Sequence, residues 1–176
     1  DSVSCTATAE DSYGGSGTAS QTVNVENTEP VISAIDITPT NPSTSETLTC
    51  IVTASDDDGD TLTASYVWTN LSTATPLGTG PNLTLSPATA QPGDFVDCTA
   101  TVDDGMGQDW AANAVIVANT DPVIDSIAIT PNTGIGTQSL LTCNASASDA
   151  DGQSINLMTT WKNDTQNTTI GSSVTL

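Results

Sequence analysis

Asp56, Asp57, Asp58 and Asp60 crowd five positions around Gly59, and the alternate three can offer carboxylate oxygens to one side of a turn. The chemistry open to such a set is capture of a hard cation. Ca2+ takes six to eight oxygens from flexible carboxylates and carbonyls, and a glycine lets the turn curl around it. The same residues also make an ordinary solvated Asp-Gly turn, so both readings stand at this point. Cys5, Cys50, Cys98 and Cys143 are the other reactive side chains. They are too far apart for a close-spaced zinc pattern, and four cysteines allow three disulfide pairings.

Catalysis finds little to work with. Histidine is absent, which removes Ser-His-Asp and Cys-His nucleophilic chemistry. Carboxylate pairs such as Asp103 and Asp104 would alternate faces on a strand, and nothing fixes the separation a glycosidase needs. The expectation is that the chain is not an enzyme. Charge narrows the partners. With 21 acidic residues and a single basic one, Lys162, the net charge is −20. That excludes a nucleic-acid binder, which needs a basic face, and argues against adhesion to anionic lipid. It favours solubility, attraction of cations and tolerance of salt. No run approaches the ~20 apolar residues of a membrane span. The chain opens on strand-like sequence and not on a leader pattern.

The elements that must position these residues are repeated. Leu48 to Trp68, LTCIVTASDDDGDTLTASYVW, returns at Leu141 to Trp161 as LTCNASASDADGQSINLMTTW, with every landmark moved by 93 positions. Asp56 maps to Asp149, Asp58 to Asp151 and Cys50 to Cys143, while Gln153 replaces the third aspartate. NTEPVISAIDITP from Asn27 returns as NTDPVIDSIAITP from Asn119, and residues 1–26 match 94–119 with Cys5 on Cys98. A gap-free self-match of this length marks tandem repeats of about 92 residues. Three parts follow. Residues 1–26 are the last two strands of a preceding repeat, 27–118 a complete one, and 119–176 the first strands of a third.

Within 27–118 the pattern predicts seven short strands, at 31–38, 46–54, 62–69, 75–78, 82–86, 94–102 and 112–118, separated by Pro, Gly and Asp turns. Period-two runs such as Leu48, Cys50, Val52 and Val96, Cys98, Ala100, Val102 describe an all-β fold, a β-sandwich. By strand direction, Glu29, the Asp56–Asp60 turn and Asp103–Asp104 fall at one end of that sandwich, where the preceding repeat attaches. These, with Asp149 and Asp151 in the second copy, are the candidate Ca2+ ligands.

The order Cys50, Trp68, Cys98 resembles an immunoglobulin-like domain, in which a third-strand tryptophan packs on an intersheet disulfide. Val96 and Val3 stand where that family has a tyrosine two residues before the second cysteine. Together NTEPVISAIDITP, LTC, SDDDGDT and YVW resemble the tandem immunoglobulin-like, PKD-like or cadherin-like repeats of large microbial surface proteins. The resemblance covers essentially the whole chain. It implies an extracellular stalk, adhesin, sheath or filament segment in which the repeat is a building unit. In that frame the repeat alignment selects Cys50–Cys98, on strands facing each other across the sandwich. Such a bond contributes about 3–4 kcal/mol on the chain-entropy model.

Further expectations concern assembly. Residues 119–176 carry Cys143 without a partner and residues 1–26 carry Cys5, so each part leaves an apolar sheet face and strand edges open. The expected solution is that 119–176 of one copy closes with 1–26 of the next, head to tail, pairing Cys143 with Cys5, the copies being either segments of one longer repeat polypeptide, the favoured reading, or separate subunits joined by strand complementation. Asn70, Asn82, Asn144, Asn163 and Asn167 each begin an N-x-[ST] triplet and are candidate glycan acceptors, Asn70 and Asn163 both lying two residues after the repeat tryptophan. The competing function is a carbohydrate-binding or accessory module of a larger secreted enzyme, with Trp110 as its one exposed aromatic.

Overall fold

The computed structural model describes residues 1–176 and is all-β, with thirteen strands. No helix is long and apolar enough to cross a membrane. In the middle of the chain, β3 (Val31–Thr38), β4 (Thr47–Ser55) and β7 (Asn82–Thr84) form a three-stranded sheet in the order β3-β4-β7. Across from it, β5 (Thr63–Asn70), β6 (Thr75–Thr79), β8 (Phe95–Asp103) and β9 (Gln108–Ile116) form a four-stranded sheet in the order β6-β5-β8-β9. All pairs are antiparallel.

Alternation builds the core. Along β8, Val96, Cys98, Ala100 and Val102 are buried while their neighbours are not, so one face of the strand turns inward. Ile37, Leu48, Cys50 and Val115 join them from the other strands, with Val117 just past the end of β9. Trp68 on β5 is fully buried, and its indole Nε1–H donates to Gly80 O at 2.9 Å, which satisfies the one polar atom it carries inside. A disulfide joins Cys50 on β4 to Cys98 on β8 and so ties the two sheets.

Six of the seven expected strands appear to within two residues. The last, expected at 112–118, instead runs Gln108–Ile116. The reason lies in the turn before it. Asp104 accepts the N–H groups of Met106 and Gly107, both at 2.6 Å, which closes a short loop and lets Gln108 pair at once with Asp103.

Two flanking parts repeat this design incompletely. β1 (Ser2–Glu10) and β2 (Ser16–Asn24) form a free hairpin with every residue exposed. After the central sandwich, β10 (Val123–Thr130) pairs with β11 (Thr142–Ser148), and β12 (Trp161–Asn163) with β13 (Thr168–Gly171). Leu176 exchanges two backbone bonds with Leu141, at 2.8 and 2.9 Å, in the place of the Leu48–Leu83 pair of β4 and β7. Trp161 Nε1–H donates to Ser173 O at 2.8 Å, in the place of the Trp68 bond. The strand matching β5 is cut to three residues, however. β5 pairs along its whole length with β8, and β12 has no such neighbour. Of 18 buried residues, all but Asp151 and Trp161 lie within 27–118.

Candidate functional site

The first aspartate turn follows β4 at the end where residues 27–30 enter. Asp56 Oδ1 accepts the N–H groups of Asp58 at 2.9 Å and Asp60 at 3.3 Å, which folds the chain back on the first carboxylate. Gly59 takes φ 78°, a left-handed conformation that glycine adopts without strain. The result brings one carboxylate oxygen each of Asp56, Asp58 and Asp60 within 4.8 Å of one another. The entering segment is tied to the same turn. Thr28 N–H donates to Asp58 Oδ2 at 2.6 Å, and Asn27 Nδ2–H to Asp104 Oδ2 at 3.0 Å. Two oxygens here, Asn27 Oδ1 and Asp56 Oδ2, are buried without any hydrogen-bond partner. Orphaned buried oxygens are costly, and a cation is one species that satisfies them. A cleft of about 350 Å³ beside the turn is lined by Asp1, Val25, Glu26, Asn27, Asp58, Asp60 and Met106.

The other expected ligands lie outside this triad. Asp103 accepts Gly105 N–H at 2.6 Å, and Asp104 is taken up by Asn27, Gly107 and Met106. The Asn27 amide, followed by those two N–H groups, holds the Asp104 carboxyl below its ordinary range. Glu29 packs on Gly107, where a Cβ would come within 2.8 Å of Glu29 Cγ.

Asp149 and Asp151 are not gathered with a third carboxylate as Asp56, Asp58 and Asp60 are. Their turn has the same backbone, with Asp151 N–H on Asp149 Oδ1 at 2.8 Å and Gly152 at φ 72°. Yet Asp151 is completely buried and both its oxygens are engaged. Oδ1 accepts the hydroxyl of Thr44, from the preceding sandwich, and Oδ2 accepts Thr120 N–H, each at 2.6 Å. The Thr44 hydroxyl first, and then Thr120, pull this carboxyl below the usual range. It is a clasp made of hydrogen bonds. No reading of the sequence anticipated it, although an aspartate matched to Asp58 and a threonine in the loop that faces the next repeat are both visible there.

Of the cysteines, Cys50 and Cys98 are bonded, Cys5 is free and exposed, and Cys143 is free and half-buried. The triplet asparagines divide. Asn82, Asn144 and Asn167 are exposed and Asn163 is half-buried. Asn70 is corrected to a structural residue. It is fully buried, donates through Nδ2 to Thr89 O and Asp94 Oδ2, and accepts Ser72 and Thr73 N–H through Oδ1. A glycan on that nitrogen is incompatible with this packing. Trp110 on β9 is 67 % exposed.

No protein-family model matches this chain, and no curated protein matches it significantly.

Proposed function

We propose that the chain is a structural segment of an extracellular fibre or stalk, built from immunoglobulin-like repeats that join head to tail. One observation carries the reading. The flanking parts reproduce strand pairings and the indole bond of the central sandwich, yet expose faces that the centre buries. On β1, Val3 is 56 % exposed where its match Val96 is 0 %, and Cys5 is exposed where Cys98 is 0 %. On β10, Ile129 is 47 % exposed where Ile37 is 3 %. The β1–β2 hairpin carries the register of β8–β9, down to Val25 N–H on Asp1 O in the place of Val117 on Asp94. Residues 119–176 lack that hairpin and residues 1–26 are that hairpin.

In the fibre, residues 1–26 close a preceding repeat and residues 119–176 open a following one, in further copies of the chain or along one longer polypeptide, so Cys5 and Cys143 each bond the matching cysteine of the repeat they complete, as Cys98 bonds Cys50. A disulfide-stapled chain fits an oxidising compartment such as the cell surface. Calcium at Asp56, Asp58 and Asp60, with Asn27 Oδ1, stiffens the junction where the preceding repeat attaches. The exposed triplets at Asn82, Asn144, Asn163 and Asn167 are its candidate glycan sites.

The deciding experiment is non-reducing peptide mapping of the oxidised chain, mixed from isotopically light and heavy copies. A Cys5–Cys143 link between light and heavy chains, in particles that grow with concentration, is the expected result. A monomer with both thiols free, or with the two joined inside one chain, overturns the joining of separate copies, and finding these two cysteines free in a longer polypeptide that carries further repeats overturns the reading altogether. For calcium, a melting curve unmoved by millimolar Ca2+ against EGTA removes the ion from the proposal. The carbohydrate-module reading rests on Trp110, and a glycan array in which Trp110→Ala abolishes reproducible binding would favour it.

A further inference from the structure

The segment that leads from the complete repeat into the following one has no slack. Val117 is buried, donates its N–H to Asp94 O at 2.9 Å and accepts Gly93 N–H at 2.8 Å. Ala118 N–H donates to Pro42 O at 2.7 Å, and Pro42 is itself buried. On the far side of the boundary, Thr120 N–H donates to Asp151 Oδ2 at 2.6 Å. Between Ala118 and Thr120 only Asn119 is left, and its side-chain amide bonds Thr120 O at 3.2 Å. Flexible linkers let neighbouring domains move independently, which is the default for small interfaces. Here the last bond to one repeat and the first bond within the next are separated by a single residue.

Asp151 ties this taut segment to both bodies. It has no exposed surface, and its Oδ1 accepts the hydroxyl of Thr44, also fully buried, at 2.6 Å. Thr44 sits in the loop before β4, which Ser43 N–H closes on Glu46 Oε2 at 2.6 Å and Glu46 N–H closes on Ser43 O at 3.3 Å. The turn that carries Asp151 is fixed in its own repeat by Asp151 N–H on Asp149 Oδ1. Its glycine faces the loop after β7, where a Cβ on Gly152 would stand 3.6 Å from Pro87 Cβ, in ordinary contact. Burying an aspartate carboxylate is unfavourable unless its oxygens are paired, and charge-assisted bonds of this length supply that pairing. A joint that bends far enough to lose Thr44 gives the pairing up.

We propose that residues 27–118 and the β10–β11 part of the following repeat are coupled as one rigid body, with Asp151 as the key that fixes the angle between them. The Thr44 hydroxyl bears on one oxygen of the key and the Thr120 N–H on the other. The coupling lies within one chain, so it is independent of whether copies join. It uses no ion, since both Asp151 oxygens have protein partners and Gln153 stands in the place of Asp60. Its consequence for a stalk is stiffness at the joint, because hydrogen bonds weaken steeply away from their preferred distance and angle.

The test is magnetic resonance of the whole chain in weak alignment, with EGTA present and with Cys5→Ala and Cys143→Ala to prevent covalent polymers. Amide residual dipolar couplings from β3, β4, β5, β8 and β9 and from β10 and β11 are expected to fit one alignment tensor. Two tensors overturn the proposal. A single tensor that appears only when Ca2+ replaces EGTA overturns it as well, because the ion would then set the angle. Thr44→Val keeps the shape of the side chain and removes the hydroxyl, so the common tensor is expected to be lost, with Thr44→Ser restoring it. A common tensor that survives Thr44→Val overturns the role of the key. Thr137→Val makes the same change at the exposed position displaced by 93 residues and is expected to keep the common tensor. Its loss there too would overturn the assignment to Thr44. None of these outcomes depends on the Cys5–Cys143 map that decides the fibre.

Discussion

The complete repeat and its half-copies differ far less in local sequence than in what surrounds them. Trp68 and Trp161 make the same indole bond, to Gly80 O and Ser173 O. The Asp58 and Asp151 turns share their glycine, their internal hydrogen bond and the N–H received from the entering segment. Yet Trp68 anchors two closed sheets while Trp161 stands in a three-residue strand, and Asp151 is buried while Asp58 is open. The difference teaches that local geometry here is dictated by short sequence, whereas burial is dictated by which neighbouring strands and loops are present.

The largest effect expected from this contrast is at the tryptophans. Trp68→Ala should cost about 3–5 kcal/mol in urea denaturation, because it opens the core and orphans the Gly80 carbonyl. Trp161→Ala should leave the main transition, that of residues 27–118, within about 0.5 kcal/mol. Equal losses would mean that the two parts unfold as one unit. Next in size is the disulfide. Cys50→Ala with Cys98→Ala should lose about 3–4 kcal/mol, while Cys5→Ala with Cys143→Ala should leave the unassembled chain unchanged and abolish its covalent polymers. A monomer destabilised by the second pair would contradict the open ends described above.

A smaller effect, near 1 kcal/mol, is expected for Thr44→Val, which removes the hydroxyl donor to Asp151. Thr137→Val in the unassembled chain should be neutral. Limited proteolysis near residue 119 reports the loosened junction, and an unchanged cleavage rate in Thr44→Val would show that the clasp carries no mechanical role.

Much of this was legible from patterning. The alternation of Val96, Cys98, Ala100 and Val102 foretold an inward face, and the 93-residue displacement pairs Trp68 with Trp161, which make matching indole bonds. The turn chemistry of Asp56, Asp58 and Gly59 was equally plain. What escaped were effects of three-dimensional neighbours. The early start of β9 depends on the Asp104 loop, the burial of Asn70 depends on Asp94 and Thr89, and the clasp depends on Thr44 arriving from another repeat. Sequence spacing has no term for these, because each joins positions from 19 to 107 residues apart or sets a loop by side-chain bonding.

The finest contrast pairs Asp94 with its match, Asp1. Asp94 Oδ2 accepts Gln91 N–H at 2.9 Å and the Asn70 amide at 2.8 Å. These bonds, Gln91 first and Asn70 next, hold the Asp94 carboxyl below its ordinary 3.8. A carboxyl depressed in the folded state stabilises it fully above the unfolded value and loses that contribution as pH falls through the folded one. Asp94→Asn should therefore melt below the wild type at neutral pH. The gap should narrow as the pH drops from about 4, and vanish once the wild-type carboxyl is protonated. Asp1→Asn should leave the melting point of the unassembled chain near wild type at neutral pH, since its Asn70 equivalent, Asn163, bonds Gln166 instead. On the head-to-tail proposal, Asn163 meets the Asp1 position of the adjoining repeat, so Asp1→Asn should open a stability gap only in assembled material. A gap that is the same in free and assembled chains would show that Asp1 never takes up the role Asp94 plays.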